Sequence, residues 1–247
     1  MPSSLTFHGD LPDLLHRRWR GRQRLIKADT RRASIKDVIE SFGLPHTEVG
    51  RLEVQGRQVD FSFAVGEALA IEVFPVSPPW NVFVPTLLRP RPLTGIKFVV
   101  DVNVGKLARF LRMAGFDTLY DRCWKDDKLV ALSCREQRIL LTRDLGLLQR
   151  KQVEFGRYIR ASSPNEQLLE VIGLLGLERQ VVPFSRCMVC NTPLQPIAKE
   201  KIKHRLQPLT RKYYNSFSRC PGCRRIYWPG SHVDGMRQLL PLRLKAE

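Results

Sequence analysis

Residues 96–121 read IKFVVDVNVGKLARFLRMAGFDTLYD, and residues 138–146 read RILLTRDLG. IKFVVD is a short apolar run rich in β-branched residues and reads as a buried strand. VGKLARFLRMAG has the helical period. It sets Leu107, Phe110, Leu111 and Ala114 on one side, with Gly115 at its stop. FDTLYD is a second short strand. KDDKLVALSCREQ follows as a helix with Leu129 and Leu132 inward, RILLTRD as a third strand, and LGLLQRK as a short helix. GRYIRAS gives a fourth strand, and SPNEQLLEVIGLLGL a closing helix with Ser163, Pro164 and Glu166 at N-cap, N1 and N3. Strand and helix alternate throughout, which predicts an α/β unit with a parallel, doubly wound sheet over 96–180.

Asp101 and Asp144 each end an apolar strand of this unit. In a parallel α/β sheet, ligands bind outside the carboxyl ends of the strands. Asp126 and Asp127 open the helix between, so they can face the same edge. Carboxylates converging there repel unless cations sit between them, and such oxygen-rich sites suit Mg²⁺ or Mn²⁺. Two such ions can activate a water and stabilise both oxygens of a phosphodiester displacement. Taken singly, each Asp is also a plain helix cap, Asp144 before LGLLQRK and Asp126 before DKLVALS. Lys106, Arg109 and Arg112 share roughly one face of the helix after Asp101. They read equally as phosphate holders or as a solvated face. Arg143 stands beside Asp144.

The net charge is +17, and 43% of the residues are hydrophobic. Residues 181–247 hold 13 basic against 3 acidic residues, a net of +10 and most of the excess. This balance favours polyanionic partners, nucleic acid above all. Four of the six cysteines form Cys187-x-x-Cys190 and Cys220-x-x-Cys223, separated by residues 191–219. Two such knuckles complete a closed tetrahedral zinc site, structural because all four ligands are protein. KEKIKHRLQ, within the gap, reads as a basic helix. Lys203, Arg224 and Arg225, interleaved with Tyr213, Tyr214, Phe217, Tyr227 and Trp228, suit RNA phosphates and unpaired bases. Cys123 and Cys134 read as half-buried residues without metal spacing. His204 and His232 are surplus to the zinc set.

Residues 3–76 read strand, strand, helix, strand, strand and a last strand, with Ser34 capping the helix and Gly56 in a turn. This predicts a small α+β domain. The segment resembles the ubiquitin-like β-grasp fold, in particular its sulfur-carrier branch, through Gly66-Glu67-Ala68-Leu69-Ala70-Ile71 and Pro75. No Gly-Gly follows, so the expectation is a binding role toward a protein partner. Prolines at 75, 78, 79, 85, 90 and 92 predict an extended, semi-rigid linker.

DVNVGKLARFLRMAGFDTLYD, DDKLVAL, RILLTRDLGLL, NEQLLEVI, PFSRCMVCNTPL and RCPGCRRIYWPGSHVDGM, in that order, resemble the Mut-7 C-terminal RNase family, a branch of PIN-like nucleases. The resemblance implies a metal-dependent ribonuclease. Asp101, Asp126 (or Asp127) and Asp144 would hold Mg²⁺ or Mn²⁺, and cleavage would leave a 3′-hydroxyl and a 5′-phosphate. Many PIN proteins carry another acid two residues after the last motif Asp. Here Gly146 stands there, with Asp121 a weak substitute. The alternative is a non-catalytic RNA-binding adaptor. The expected organisation is a β-grasp domain over 1–76, a linker over 77–95, a PIN-like domain over 96–180, and a zinc ribbon with a basic segment over 181–247. A cytoplasmic location without membrane contact is expected, since no apolar run is long enough to span a bilayer.

Overall fold

Five strands and one helix make the first unit: β1 (Ser3–Phe7), β2 (Arg24–Lys27), α1 (Ile35–Glu40), β3 (Val49–Val54), β4 (Arg57–Gln58) and β5 (Ala70–Pro75). The structure, a computed structural model, describes residues 3–27 and 33–230. His232 and the remainder of the expected C-terminal segment lie outside the described residues. The strands order β2-β1-β5-β3-β4, with β1 and β5 parallel and the other pairs antiparallel. Ser34 Oγ accepts the Asp37 N–H at 3.1 Å and starts α1. Ile35, Val38 and Ile39 are thereby buried against Leu5, Phe7, Ile71 and Val73. Gln55 and Gly56 both take positive φ, 51° and 78°, as a two-residue turn between twisted strands requires. This helix on a mixed sheet is the β-grasp arrangement.

The second unit runs β6 (Lys97–Val100), α2 (Gly105–Met113), β7 (Asp117–Leu119), α3 (Asp126–Arg135), β8 (Ile139–Thr142), α4 (Leu145–Leu148), β9 (Gly156–Tyr158) and α5 (Pro164–Leu175). Its sheet orders β7-β6-β8-β9 and is parallel throughout. Alternate strand residues face opposite helix pairs. Phe98, Val100, Ile139 and Leu141 pack with Leu107 and Leu111 of α2 and Leu168 and Ile172 of α5. Val99 and Leu140 pack with Leu129 and Leu132 of α3 and Leu147 and Leu148 of α4. Both faces are covered, which is why these strands read as continuous apolar runs. Ser163 and Glu166 form the expected capping box of α5.

A small antiparallel sheet, β10 (Gln195–Pro196), β11 (Ser218–Arg219) and β12 (Ile226–Tyr227), carries the cysteine knuckles. The stretch expected as one basic helix is instead two 3₁₀ turns, Lys199–Lys201 and Lys203–Arg205, followed by α6 (Pro208–Tyr213). Ile202 alone among the residues of the two turns and the one between them is buried. Without an apolar stripe there is no face to hold a longer helix.

Residues 77–95 are not an extended spacer. Val82 and Leu93 enter the core beneath α5, and the Trp80 N–H donates to Leu174 O at 2.6 Å. Arg89 is buried and stitches three segments. It donates to Thr47 O (2.8 Å), Val49 O (2.9 Å) and Glu154 O (3.2 Å) and lies over the Trp80 ring. Burial draws its guanidinium down to about 10, which leaves it charged at neutral pH.

Both edges of the parallel sheet are closed by side chains from the flanking units. At β9, Glu48 is wholly buried and accepts the Tyr158 N–H at 2.7 Å. Its other oxygen lies 2.8 Å from Arg157 and 3.2 Å from Arg160. His46 Nε2 meets Val153 O at 2.8 Å alongside. At β7, Asn191 Oδ1 accepts the Thr118 N–H at 3.1 Å, and Arg112 Nε donates to Thr118 O at 2.9 Å. Removing one partner of a buried ion pair leaves the other uncompensated, so Glu48→Gln is expected to cost about 3 kcal/mol. Urea denaturation should show this loss, and an unchanged midpoint would mean Glu48 does not lock the β-grasp unit to the sheet.

Candidate active site

The chain leaves β6 toward β7 on one side, and β8 lies on β6's other side. The crevice between the carboxyl ends of β6 and β8 is therefore the topological switch point of the sheet. Asp101 follows β6 and is 7% exposed. Its Oδ1 accepts the Val102 N–H at 2.6 Å, and its Oδ2 accepts the Thr142 hydroxyl at 2.7 Å and the Asn103 amide at 2.6 Å. The same Thr142 Oγ1 accepts the Asp144 N–H at 2.9 Å. One buried hydroxyl thus couples the two strand ends. Asp144 is the N-cap of α4, with Oδ1 accepting the Leu147 N–H at 3.1 Å. That duty uses one oxygen and leaves Oδ2 without a partner among the described residues. Capping and a ligand role are compatible here.

Asp126 and Asp127 form the first turn of α3, exposed and on the same sheet edge. Asp127 is 91% exposed and pairs with Arg150 at 3.3 Å. No hydrogen bond joins either residue to Asp101 or Asp144. Among the described residues one group of three or more His, Cys, Asp or Glu side chains is close enough to share an ion, the four cysteines. The four carboxylates do not make a second. Asp121 is engaged in its own turn, accepting the Cys123 N–H at 2.9 Å. A Cβ on Gly146 would sit 3.2 Å from Asp144 Oδ1, so that position borders the carboxylate edge. The oxygen donors suit a hard divalent cation in type.

Two expected phosphate contacts are corrected. Arg112 is 6% exposed, and NH1 donates to Val189 O at 2.7 Å and Met188 O at 3.4 Å, inside the first knuckle. Arg143 donates to Ile159 O (2.9 Å), Arg160 O (3.1 Å) and Ala161 O, turning toward the β9–α5 connection. Each guanidinium is consumed by backbone carbonyls and has little left for a phosphate. Lys106, Arg109, Lys203, Arg224 and Arg225 are exposed. Asn103 and Thr142 were missing from the sequence reading. Asn103 also accepts the Arg143 N–H at 3.0 Å.

The Sγ atoms of Cys187, Cys190, Cys220 and Cys223 lie within 4.8 Å of one another. The Thr192 hydroxyl, 3.3 Å from Cys190, draws that thiol down to about 6 against the effect of burial. Cys223 goes the other way. The Arg225 backbone works to lower it, but burial and the neighbouring thiols push it up to about 12. Four thiolates at this spacing need a cation between them, and the cluster is compatible with tetrahedral zinc. Cys123 and Cys134, expected half-buried, are exposed.

Residues 96–240, more than half of the chain, match the model of the Mut7-C RNAse domain. The chain belongs to that family. Residues 3–81 match the Mut7-C ubiquitin model. Comparison with curated proteins returns no match, and comparison with solved structures returns none. Membership in the Mut7-C RNAse domain family indicates a nuclease-type role directed at RNA. No helix among the described residues is long and apolar enough to cross a membrane.

In this Mut7-C RNAse domain chain the cysteine module is fastened to the α/β sheet through Asp117. Asp117 Oδ1 accepts from Arg138 NH1 at 2.7 Å and Asn191 Nδ2 at 2.9 Å, and Arg186 stands 3.8 Å from Oδ2. Burial works to raise the carboxyl pKa, but Arg138 and Asn191 outweigh it and hold the group below its ordinary value. The bond is therefore intact above the usual carboxylate range and is lost as pH falls through the lowered value. Asp117→Asn is expected to flatten the acid limb of a stability–pH curve, followed by thermal unfolding. An acid limb identical to the wild type would remove Asp117 as the fastening group.

Proposed function

We propose that the protein is a metal-dependent ribonuclease whose hydrolytic site is the carboxyl edge of β6 and β8. The observation that carries this reading is the link from Asp101 through the Thr142 hydroxyl to Asp144 at the switch point of the sheet. Asp101, Asp144 and Asp126 would hold Mg²⁺ or Mn²⁺, with Asp127 beside them. Bound there, the cation would supply Lewis-acid chemistry for phosphodiester hydrolysis and offset the charge of the phosphate. Asp101 is held in one rotamer by three donors, so its position does not depend on the cation. Thr142 is a positioning residue, fixing Asp101 and the Asp144 backbone together. Lys106 and Arg109, exposed on α2 beyond Asp101, would attract the RNA backbone. Structural zinc on the four cysteines completes the ribbon, and its basic surface adds affinity. The β-grasp unit would serve a protein partner. The two CxxC pairs suit a reducing compartment, and we assign the protein to the cytoplasm.

A second reading is an RNA-binding adaptor without turnover. It is favoured by the spread of the four carboxylates, which make no compact group, and by Gly146. Single-stranded RNA incubated with Mn²⁺ separates the two. Losing a cation ligand is expected to cost several kcal/mol of transition-state stabilisation, so Asp144→Asn or Asp101→Asn should lower cleavage about 10³-fold. Thr142→Val, acting through its neighbours, should lower it by about 10- to 100-fold. Equal cutting by wild type and Asp144→Asn would remove Asp144 from the site. RNA binding with no divalent-ion binding at this edge would select the adaptor.

A further inference from the structure

The ribbon holds a second polar site that the acidic edge does not use. A groove of about 460 Å³ lies between residues 195–198, Lys201, Arg219 and Pro221. No carboxylate lines it. Glu200 is the one acidic residue in 181–230, against ten Lys and Arg, and it lies outside the groove lining. Arg219 belongs to β11, the middle strand of the ribbon, and its backbone is fixed by pairing with Gln195 and Ile226. Its Nε is buried without a hydrogen-bond partner, and no described residue accepts from the rest of its guanidinium. The side chain is half-buried on the groove wall, so its guanidinium is held there without an acceptor among the described residues. Lys201 is held at the mouth by the 3₁₀ turn, its N–H donating to Ala198 O at 3.1 Å, and by the buried anchor of Ile202 beside it. Lys201 makes no ion pair among the described residues.

We propose that this groove seats one phosphate of an RNA strand, with the Arg219 guanidinium and the Lys201 ammonium as its ligands. A guanidinium fork matches the tetrahedral oxyanion in two directions, and an ammonium adds a point charge. The inference rests on the RNA reading above and deepens it. RNA rather than free phosphate is indicated by what surrounds the groove. Lys203, Arg205, Arg211 and Lys212 extend the positive surface along the same insertion, all exposed. Tyr213 is 65% and Trp228 39% exposed, and such rings can stack on unpaired bases.

The test uses the full chain and a fluorescent oligouridine in buffer free of Mg²⁺ and Mn²⁺, without a chelator, so that zinc is retained. Anisotropy gives Kd across a salt series for the wild type, Lys201→Gln, Arg219→Gln and the exposed control Arg57→Gln. Each lost phosphate contact on a single strand should reduce the salt slope by about 0.7, equivalent to about four-fold weaker binding near 0.15 M salt. The control should match the wild type. Unchanged affinity and slope in both groove variants, with wild-type binding intact, would overturn the groove and leave the RNA reading standing. Absence of RNA binding by the wild type would overturn both. Zinc content is measured for each protein. Arg219 adjoins Cys220, so if Arg219→Gln loses zinc, Lys201→Gln decides. A rise in Tm with inorganic phosphate in the wild type but not in Lys201→Gln, at equal RNA affinity, would make this a free-anion site and overturn the RNA assignment.

Discussion

An open parallel sheet has two edges, and every edge strand presents unpaired N–H and C=O groups. The four-stranded sheet here is small, and its outer strands β7 and β9 span three residues each. Neither edge is left open. The β-grasp unit closes β9 with the Glu48 carboxylate on the Tyr158 N–H, while Arg89 from the Pro-rich segment takes the Glu154 carbonyl. The ribbon closes β7 with the Asn191 amide on the Thr118 N–H. The order of units along the chain follows from this requirement: a cap, the sheet, a cap. Each flanking module satisfies backbone groups of the central one, so the three behave as one structure rather than as beads on a linker.

The same sheet decides where chemistry can occur. Both faces are covered by helices, and all four residues of β8 are buried. A polar side chain in a strand buried on both faces needs a hydrogen-bond partner. Thr142 is the last residue of β8, and its hydroxyl serves donor and acceptor at once, giving its proton to Asp101 and taking the Asp144 N–H. A Val at this position would keep the branched shape, but it would leave the two strand ends uncoupled and Asp101 short of a donor. The hydroxyl is therefore better explained by the edge it organises than by the strand it ends.

Much of this was legible in the sequence because it rests on short-range rules. The capping box of α5, the Ser34 cap and the alternation of strand and helix are local, and each formed as read. The four cysteines were legible by spacing alone. What escaped depended on contacts far along the chain. Arg112 sits at helical spacing from Lys106 and Arg109, and nothing local separates it from them. Its burial comes from a knuckle more than seventy residues later. The Pro-rich stretch reads as a spacer until Trp80, Val82 and Leu93 are seen to find the core. Asp126 and Asp144 are a different case. Their placement on one edge follows from the topology, but whether the carboxylates converge depends on side-chain geometry that sequence pattern does not encode.

The ribbon shows how one small module serves two masters without conflict. Its first knuckle faces inward: the carbonyls of Met188 and Val189 accept from Arg112, and Asn191 reaches both Thr118 and Asp117. The insertion between the knuckles faces outward and carries seven of the ten Lys and Arg of 181–230, four of them on the short turns anchored by Ile202. Arg205 NH2 donates to Arg224 O at 3.3 Å, and β11 pairs with β12, so the insertion is tied to the second knuckle. Positive charge concentrated this way would repel itself apart on a free loop. Fastened to the cysteine cluster and to the sheet, it becomes a fixed cationic surface, whose self-repulsion salt or an anionic partner would relieve.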